Sequence, residues 1–267
     1  MTRREALLLN RDAYIAVFDS GVGGISVLRE LRRQMPQERF YYFGDNANAP
    51  YGLRSTQEVR ALTMDAAQRL FDLGAKALVV ACNTATAAAI SQLRQRWPER
   101  IIIGIEPAVK LACDRYPGGT VGIMATNVTL REQKLAQLTA RCSRDCEIVL
   151  LPSPGVVELV EAGKGNSPEA VALMERELSP YLGRLQALVL GCTHYPFLKS
   201  AIRQVVGPEV ALLDGSEGTA RETRRRLLEA DLMRQGLGSI TLDSSDPEKI
   251  PLMRYLLEGD APIIQKD

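Results

Sequence analysis

Two cysteines of this 267-residue chain, Cys82 and Cys192, lie in similar local sequences. The segments read LVVACNTA at Leu78–Ala85 and LVLGCTHY at Leu188–Tyr195, so each cysteine follows an apolar run and precedes polar residues. An apolar run of this kind predicts a buried strand that ends just before the cysteine. In open α/β sheets, ligands bind beyond the carboxyl ends of the strands, so we expect both thiols at a ligand site.

A thiol that precedes a helix is well placed for proton transfer, because the free N–H groups of the helix N-terminus favour a thiolate. Two such thiols on opposite sides of one carbon atom suit the removal of a proton from one face and its return to the other. A hydrolase built on one thiol and one histidine leaves the second cysteine idle, and a redox dithiol more usually shows C-x-x-C spacing. The duplicated motif therefore favours a two-base isomerase, with Cys82 and Cys192 as acid and base.

Three other residues are expected to assist the thiols. His194 is the only histidine of the chain and lies two residues after Cys192. A histidine has an ordinary pKa of about 6.5 and is able to exchange a proton with that thiol. The motif FDSGVGG presents Asp19 and Ser20 in a glycine-rich turn whose N–H groups suit an anion. We expect Asp19 to act on Cys82, although a neighbouring carboxylate raises the pKa of a thiol.

Three further segments carry polar residues, and for two of them local sequence alone favours a structural or surface role. The proline and glycine of GDNANAPYG explain a turn around Asp45 and Tyr51 without a ligand. Thr129 suits a helix N-cap after the strand that ends near Thr126, although both hydroxyls also suit a carboxylate. Glu161 lies near the end of a predicted helix, where a charged side chain is usually solvated.

Composition excludes several classes of protein. The chain is 46% hydrophobic and 24% charged, and its formal net charge of +1 argues against a nucleic-acid binder. No apolar run approaches the roughly 20 residues of a membrane helix, and the N-terminal run is too short for a signal peptide. We therefore expect a cytoplasmic protein with no membrane partner. The five cysteines cannot all pair, so reduced thiols are expected, and a single histidine leaves no complete zinc site.

Short apolar runs alternate with longer amphipathic segments through most of the chain. Continuous apolar strands predict a parallel sheet that is covered on both faces, which is typical of α/β architecture. Strands are predicted at 14–18, 39–43, 75–81, 100–104, 119–124, 147–151, 187–190 and 210–213, with one more in the tail. Helices are predicted at 24–35, 56–73, 84–97, 129–139, 155–162, 168–185, 197–206 and 215–234, with one more in the tail.

Taken together, FDSGVGG, GD followed by PYG, ACNTA and LGCTHYP resemble the motifs of the cofactor-independent glutamate racemase family, in the same order. The resemblance runs from about Tyr14 to Arg226. It implies two pseudo-symmetric α/β domains with mainly parallel central sheets and the active site in the cleft between them. The implied first domain comprises residues 1–104 together with 214–267, and the second comprises residues 105–213.

The resemblance also implies a reaction and its partners. The chain would interconvert L- and D-glutamate without pyridoxal phosphate or a metal, and its product would supply peptidoglycan synthesis. By analogy, Cys82 would deprotonate D-glutamate and Cys192 would deprotonate L-glutamate. Many members are homodimers, and some are activated by a cell-wall precursor. The positions that match substrate-contacting or supporting residues of the family are Asp19, Ser20, Asp45, Tyr51, Gly52, Asn83, Thr84, Thr126, Thr129, Glu161, Thr193 and His194.

Three alternative functions stay open at this point. A racemase for aspartate or another acidic amino acid would differ in pocket size, which the sequence does not give. A non-catalytic amino-acid-binding module would keep the fold, but the presence of both cysteines, Asp19 and His194 argues against it. A Cys–His amidohydrolase would use Cys192 and His194 and would be indifferent to Cys82.

Overall fold

The computed structural model describes residues 10–126, 129–130 and 133–259 of the chain. The strands are β1 (Ile15–Asp19), β2 (Arg39–Gly44), β3 (Ala77–Val80), β4 (Ile101–Gly104), β5 (Thr120–Ala125), β6 (Glu147–Pro152), β7 (Leu185–Leu190), β8 (Ala211–Asp214) and β9 (Ser239–Ser244). The helices are α1 (Ile25–Gln34), α2 (Thr56–Asp72), α3 (Asn83–Arg96), α4 (Val109–Arg115), α5 (Gln133–Cys142), α6 (Val156–Glu161), α7 (Pro168–Leu178), α8 (Lys199–Val206), α9 (Ser216–Glu229) and α10 (Ile250–Glu258). In the described ranges, every helix is too short or too polar to cross a membrane.

The strands form two sheets, and each strand pair is parallel. The first sheet has the order β4-β3-β1-β2-β9 and the second has the order β6-β5-β7-β8. When the second sheet is followed from its other edge, β8-β7-β5-β6 repeats β4-β3-β1-β2 strand for strand. The chain therefore contains the same four-strand topology twice, and β9 extends the first copy. The predicted class of two parallel α/β units is confirmed.

The apolar strands are buried as the sequence predicts. All residues of β1 and β3 are buried, because helices cover both faces of the first sheet. One apolar cluster continues from Val17 and Leu28 in the first half to Met124 and Leu188 in the second. This shared core holds the two sheets together, so that the carboxyl ends of their strands lie near one another.

Three helices differ from the prediction, one of which, predicted at 215–234, ends at Glu229, and a further helix is described only in part. The helix predicted at 168–185 ends at Leu178, because Pro180 lacks an N–H group and Gly183 adopts a positive φ of 72°. The short helix α4 was not predicted. The helix predicted at 129–139 lies partly outside the described residues, and α5 is described from Gln133.

The expectation of five reduced cysteines is wrong for two of them. Cys113 of α4 and Cys146, which precedes β6, form a disulfide with Cα atoms 5.8 Å apart. Both side chains are buried in the core that α4 forms with the second sheet. Their separation of 33 residues gives no local indication of the pairing. Cys82, Cys142 and Cys192 are free.

A buried ion pair lies at the amino-terminal ends of the strands of the first sheet. Cys82 lies at the other end, after β3. Lys76 Nζ is 2.6 Å from Glu38 Oε2, and both side chains are fully buried. Lys76 also donates to the carbonyl oxygens of Arg11 and Leu232, and Glu38 Oε1 accepts the N–H of Arg234. The pair therefore joins segments from both ends of the chain.

Removing one member of this pair is expected to destabilise the fold. Lys76→Met should lower the free energy of unfolding by about 3–5 kcal/mol, because Glu38 is left as an uncompensated buried charge. The double variant Lys76→Met/Glu38→Leu should lose less than the sum of the single losses. Urea unfolding measures these differences, with the exposed Lys110–Asp114 pair as a control that should change by under about 1 kcal/mol in Lys110→Met. A comparable small loss in Lys76→Met would contradict the prediction.

Candidate active site

The two cysteines of the duplicated motif line one cavity of about 100 Å³. One wall consists of the turns that follow β1, β2 and β3, and the other consists of the turns that follow β5, β6 and β7. The predicted site residues that line the cavity are Ser20, Tyr51, Gly52, Cys82, Asn83, Thr84, Thr126, Thr129, Cys192, Thr193 and His194.

Cys82 is a buried thiol at the N-terminus of α3. Its Sγ lies 3.4 Å from Ser20 Oγ and accepts the N–H of Ala85 at 3.4 Å. Its pKa is raised to about 12, mainly by burial and then by the negative charge of Asp19, and these two hydrogen bonds only partly offset the increase. The structure therefore favours the protonated thiol. Ser20, rather than the expected Asp19, is the direct hydrogen-bond partner of Cys82.

Cys192 has a different environment. Its Sγ lies 3.7 Å from His194 Nδ1, and His194 Nε2 lies 2.8 Å from Glu161 Oε1. Burial alone would lower the pKa of His194, but its hydrogen bonds and charge interactions with Cys192 and Glu161 outweigh burial and raise the pKa well above the usual value. The imidazolium form is therefore favoured, and a cation adjacent to Sγ stabilises a thiolate.

Glu161 is not the solvated surface residue that its local sequence suggests. Its side chain is only 14% exposed, and it accepts hydrogen bonds from the N–H of Val22 at 2.9 Å and from Asn46 Nδ2 at 3.1 Å. Burial opposes ionisation, but His194, the Val22 N–H and Lys249 together lower the pKa of this carboxyl. Glu161 is thus a largely buried carboxylate behind the imidazole. It does not line the cavity.

Asp19 also lies behind the cavity wall. Its carboxylate accepts the N–H of Gly24 at 3.1 Å and the hydroxyl of Thr193 at 3.2 Å. Burial is the main influence and raises the pKa of Asp19, although the charge of His194 and these hydrogen bonds act in the opposite direction. Asp19 therefore connects the first glycine-rich turn to the turn that carries Cys192.

Asp45 fixes the loop that carries Tyr51. The Tyr51 hydroxyl donates to Asp45 Oδ2 at 2.7 Å, and Ser245 Oγ donates to Asp45 Oδ1 at 2.8 Å. Burial, followed by the hydrogen bond to Asp45, raises the pKa of Tyr51, which keeps the phenol neutral. Asp45 itself does not line the cavity, but it holds in place a residue that does.

Hydroxyl and amide groups from both halves meet in the cavity. Thr129 Oγ1 lies 3.0 Å from Thr126 Oγ1 and 3.5 Å from Thr84 Oγ1. A Cβ atom at Gly52 would lie 3.4 Å from Thr126, so this loop also reaches the second half. Asn83 Oδ1 is buried without a hydrogen-bond partner, which is costly unless a ligand supplies a donor.

The glycines of the first turn allow the two halves to approach closely. A Cβ atom at Gly23 would overlap the His194 ring and the Thr193 hydroxyl, and one at Gly21 would overlap Glu161. The N–H groups of Val22 and Gly24 in this turn bind anionic groups, as the sequence predicts. The anions are the protein's own carboxylates.

Sequence reasoning missed the contribution of the turn after β9. Ser244 Oγ donates to Asn46 Oδ1 at 2.9 Å, Ser245 contacts Asp45, and Lys249 contacts Glu161. No local motif marks these residues. The only available indication is that a tail strand added beside β2 would place its carboxyl end at this edge of the sheet.

The described residues offer no arrangement suited to a metal ion. No group of three or more His, Cys, Asp or Glu side chains is placed to hold one in the described ranges. Cys142 and Cys146 are close in sequence, but Cys146 is in the disulfide, which leaves Cys142 as a free buried thiol.

Comparisons with known proteins agree with this geometry. The family described as Asp/Glu/Hydantoin racemase matches residues 23–223. A glutamate racemase from Clostridium perfringens (strain SM101 / Type A) is 42% identical over 253 residues, which cover 93% of this chain and 97% of that protein.

Solved structures show the same similarity. The Thermus thermophilus glutamate racemase in complex with Beta-chloro-D-alanine is 39% identical with a TM-score of 0.75, covering 93% of each chain. The Escherichia coli glutamate racemase in complex with L-glutamate and the activator UDP-MurNAc-ala is 31% identical with a TM-score of 0.78, covering 91% of this chain and 95% of that one. Because these similarities extend over most of its length, this chain belongs to the Asp/Glu/Hydantoin racemase family and, within it, to the glutamate racemases.

Proposed function

We propose that this protein interconverts L- and D-glutamate by proton transfer between two thiols, without a cofactor or a metal. The observation that carries the proposal is that Cys82 and Cys192 line the same small cavity from equivalent strand ends of the two repeated halves. A carbon atom held between these walls presents one face to each thiol. The substrate is assigned from the relatives, which are glutamate racemases.

The surroundings of the two thiols indicate which of them removes the α-proton of L-glutamate. In the L-to-D direction, the Cys192 thiolate, paired with the His194 imidazolium, removes the α-proton of L-glutamate. The Cys82 thiol then donates its own proton to the opposite face of the carbanion, which gives D-glutamate and leaves a thiolate on Cys82. In the D-to-L direction the roles are exchanged. His194 is the group beside Cys192 that supports the thiolate there, whereas Asp19 lies near Cys82 and disfavours its thiolate.

Removal of a proton from D-glutamate requires a thiolate on Cys82, which burial and the charge of Asp19 oppose. The substrate's α-ammonium group supplies the missing positive charge, and its N–H groups satisfy the unpartnered Oδ1 of Asn83. Binding of the substrate is therefore part of the activation of Cys82.

The substrate carboxylates are bound by neutral donors. The lining residues in the described part of the chain include no Lys or Arg. The hydroxyls of Thr84, Thr126 and Thr129 form one cluster, and they are suited to the hydrogen-bonding needs of a carboxylate. The other contacts that we assign to the substrate come from Ser20, Tyr51, Gly52, Thr193 and His194.

We assign the first domain to residues 1–104 with 214–267 and the second to residues 105–213. The position of β9 in the first sheet supports this division. The two connecting segments also lie side by side, since a Cβ atom at Gly215 would overlap the carbonyl oxygen of Glu106.

We also propose a cytoplasmic homodimer that supplies peptidoglycan synthesis and responds to a cell-wall precursor. The Escherichia coli relative was solved with the activator UDP-MurNAc-ala, which supports the response. Light scattering tests the dimer, and assays with and without that compound test the activation.

Replacing either thiol of the cavity is expected to abolish racemisation and leave the fold intact. In deuterated water, the unaltered protein should convert L-glutamate to D-glutamate that carries deuterium at the α-carbon. Cys82→Ser should exchange the α-hydrogen of L-glutamate without forming D-glutamate, and Cys192→Ser should exchange only that of D-glutamate, because each variant keeps one base. Nuclear magnetic resonance and chiral chromatography measure exchange and inversion separately.

Cys142→Ser is the matched control, since Cys142 is a buried free cysteine that does not line the cavity. It should retain racemase activity. Full racemisation by either single-thiol variant would rule out the two-thiol mechanism. Ammonia release that does not require Cys82 would indicate an amidohydrolase instead, and faster turnover of aspartate than of glutamate would change the substrate.

Loss of His194 is expected to affect the two directions unequally. His194→Asn should lower kcat by about 10²-fold or more from L-glutamate and by less from D-glutamate, because it removes the cation beside Cys192. The enantiomers have equal free energies, so kcat/KM must stay equal in both directions, and the difference must appear in kcat and KM separately. Circular dichroism follows the reaction from each enantiomer. Equal slowing of kcat would refute a role confined to Cys192.

A methyl group at Gly23 is expected to disable the site. Gly23→Ala should lower kcat by about 100-fold, because the new Cβ atom displaces the His194 ring. Gly218→Ala is the control, because Gly218 lies in α9 with open space around it and should gain about 0.5–1 kcal/mol of stability at unchanged activity. Retention of the full rate by Gly23→Ala would show that the close approach of the turn is unnecessary.

A further inference from the structure

Glu161 has four partners, and three of them come from the other half of the molecule. Oε1 accepts the N–H of Val22 at 2.9 Å and lies 2.8 Å from His194 Nε2. Oε2 accepts from Asn46 Nδ2 at 3.1 Å and lies 3.8 Å from Lys249 Nζ. Val22, Asn46 and Lys249 belong to turns of the first sheet, whereas Glu161 and His194 belong to the second. The carboxylate therefore connects the two walls of the active-site cavity.

Lys249 contacts Glu161 in two ways. Its Nζ donates to the backbone carbonyl oxygen of Glu161 at 3.0 Å, and its charge lies beside Oε2. Glu161 is the last residue of α6, and a cation beside the carboxyl end of a helix is stabilising. The lysine thus holds both the backbone and the side chain of Glu161.

We propose that Lys249 is a positioning residue for the racemase reaction: it holds Glu161 in place across the two halves and so orients His194 toward Cys192. Asn46 shares this task, because Ser244 fixes its amide by donating to Oδ1. With Oε2 held by Lys249 and Asn46, Oε1 is left directed at the imidazole. The inference rests on the proposed function, since it concerns the thiol that acts on L-glutamate.

The contact also has an electrostatic consequence. The charged groups around Glu161 are His194, Lys249 and, at longer range, Asp19. Lys249 contributes to the lowered pKa of Glu161. Removing the lysine raises that pKa, so that the carboxylate is protonated at a higher pH as the solution is acidified. Activity that depends on the carboxylate is then lost at a higher pH than in the unaltered protein.

The test compares Lys249→Met with Lys249→Arg. Lys249→Met should lower kcat from L-glutamate by about 10-fold, leave KM nearly unchanged and move the acid limb of the kcat profile to higher pH. Lys249→Arg keeps a permanent cation and donors for the carbonyl oxygen. It should therefore restore most of the rate and return the acid limb of the kcat profile to its pH in the unaltered protein. A merely structural role would not give this dependence of the pH profile on charge.

Lys199→Met is the matched control. Lys199 pairs with Asp214, whose side chain is 14% exposed like that of Glu161, but this pair does not touch the cavity. It should change the thermal unfolding midpoint about as much as Lys249→Met and leave the pH profile unchanged. If Lys249→Met matches the unaltered protein in kcat and pH profile, the inference fails while the proposed function stands. If the unaltered protein does not exchange the α-hydrogen of glutamate, the proposed function itself fails.

Discussion

Loss of hydration is the constraint on which this site depends. Buried charges are costly unless a partner compensates them, and the two thiols are compensated differently. Cys82 lies near the carboxylate of Asp19, whereas Cys192 lies beside the imidazolium of His194, which is itself paired with Glu161. The repeated fold supplies two similar groups with unequal surroundings: burial and Asp19 favour the protonated thiol of Cys82, whereas Cys192 has an imidazolium beside it. The chemistry requires this difference, because one thiol must accept a proton while the other donates one.

The repeated topology explains why the thiols meet. Cys82 follows β3 and Cys192 follows β7, and these strands occupy the same place in the order of their sheets. The shared apolar core then holds the carboxyl edges of both sheets toward one cavity. The strand topology repeats, but the side chains around the two thiols differ. Glutamate is chiral and presents different groups on each side, so the two walls need different side chains.

Much of the fold and the centre of the site are predictable because the residues that determine them lie close together in the sequence. Buried strands, the thiols at their ends and the nearby His194 are all visible within a few residues of sequence. The supporting contacts are not, because they join distant segments: Val22 and Glu161 are 139 residues apart, and Asp45 and Ser245 are 200 apart. Hydrophobic periodicity describes which face of an element is buried, but it does not say which element covers that face.

The place of β9 in the first sheet has a consequence for biosynthesis. Synthesis on the ribosome proceeds from the N-terminus, so both thiols and most of the core are made before β9, the last strand of the first sheet. Until β9 arrives, β2 is an unpaired edge strand, and such an edge is able to associate with other chains. The nascent chain also lacks Ser244, Ser245 and Lys249, which brace Asn46, Asp45 and Glu161. Completion of the first sheet and assembly of a working active site therefore both wait for the synthesis of β9 and of the turn that follows it.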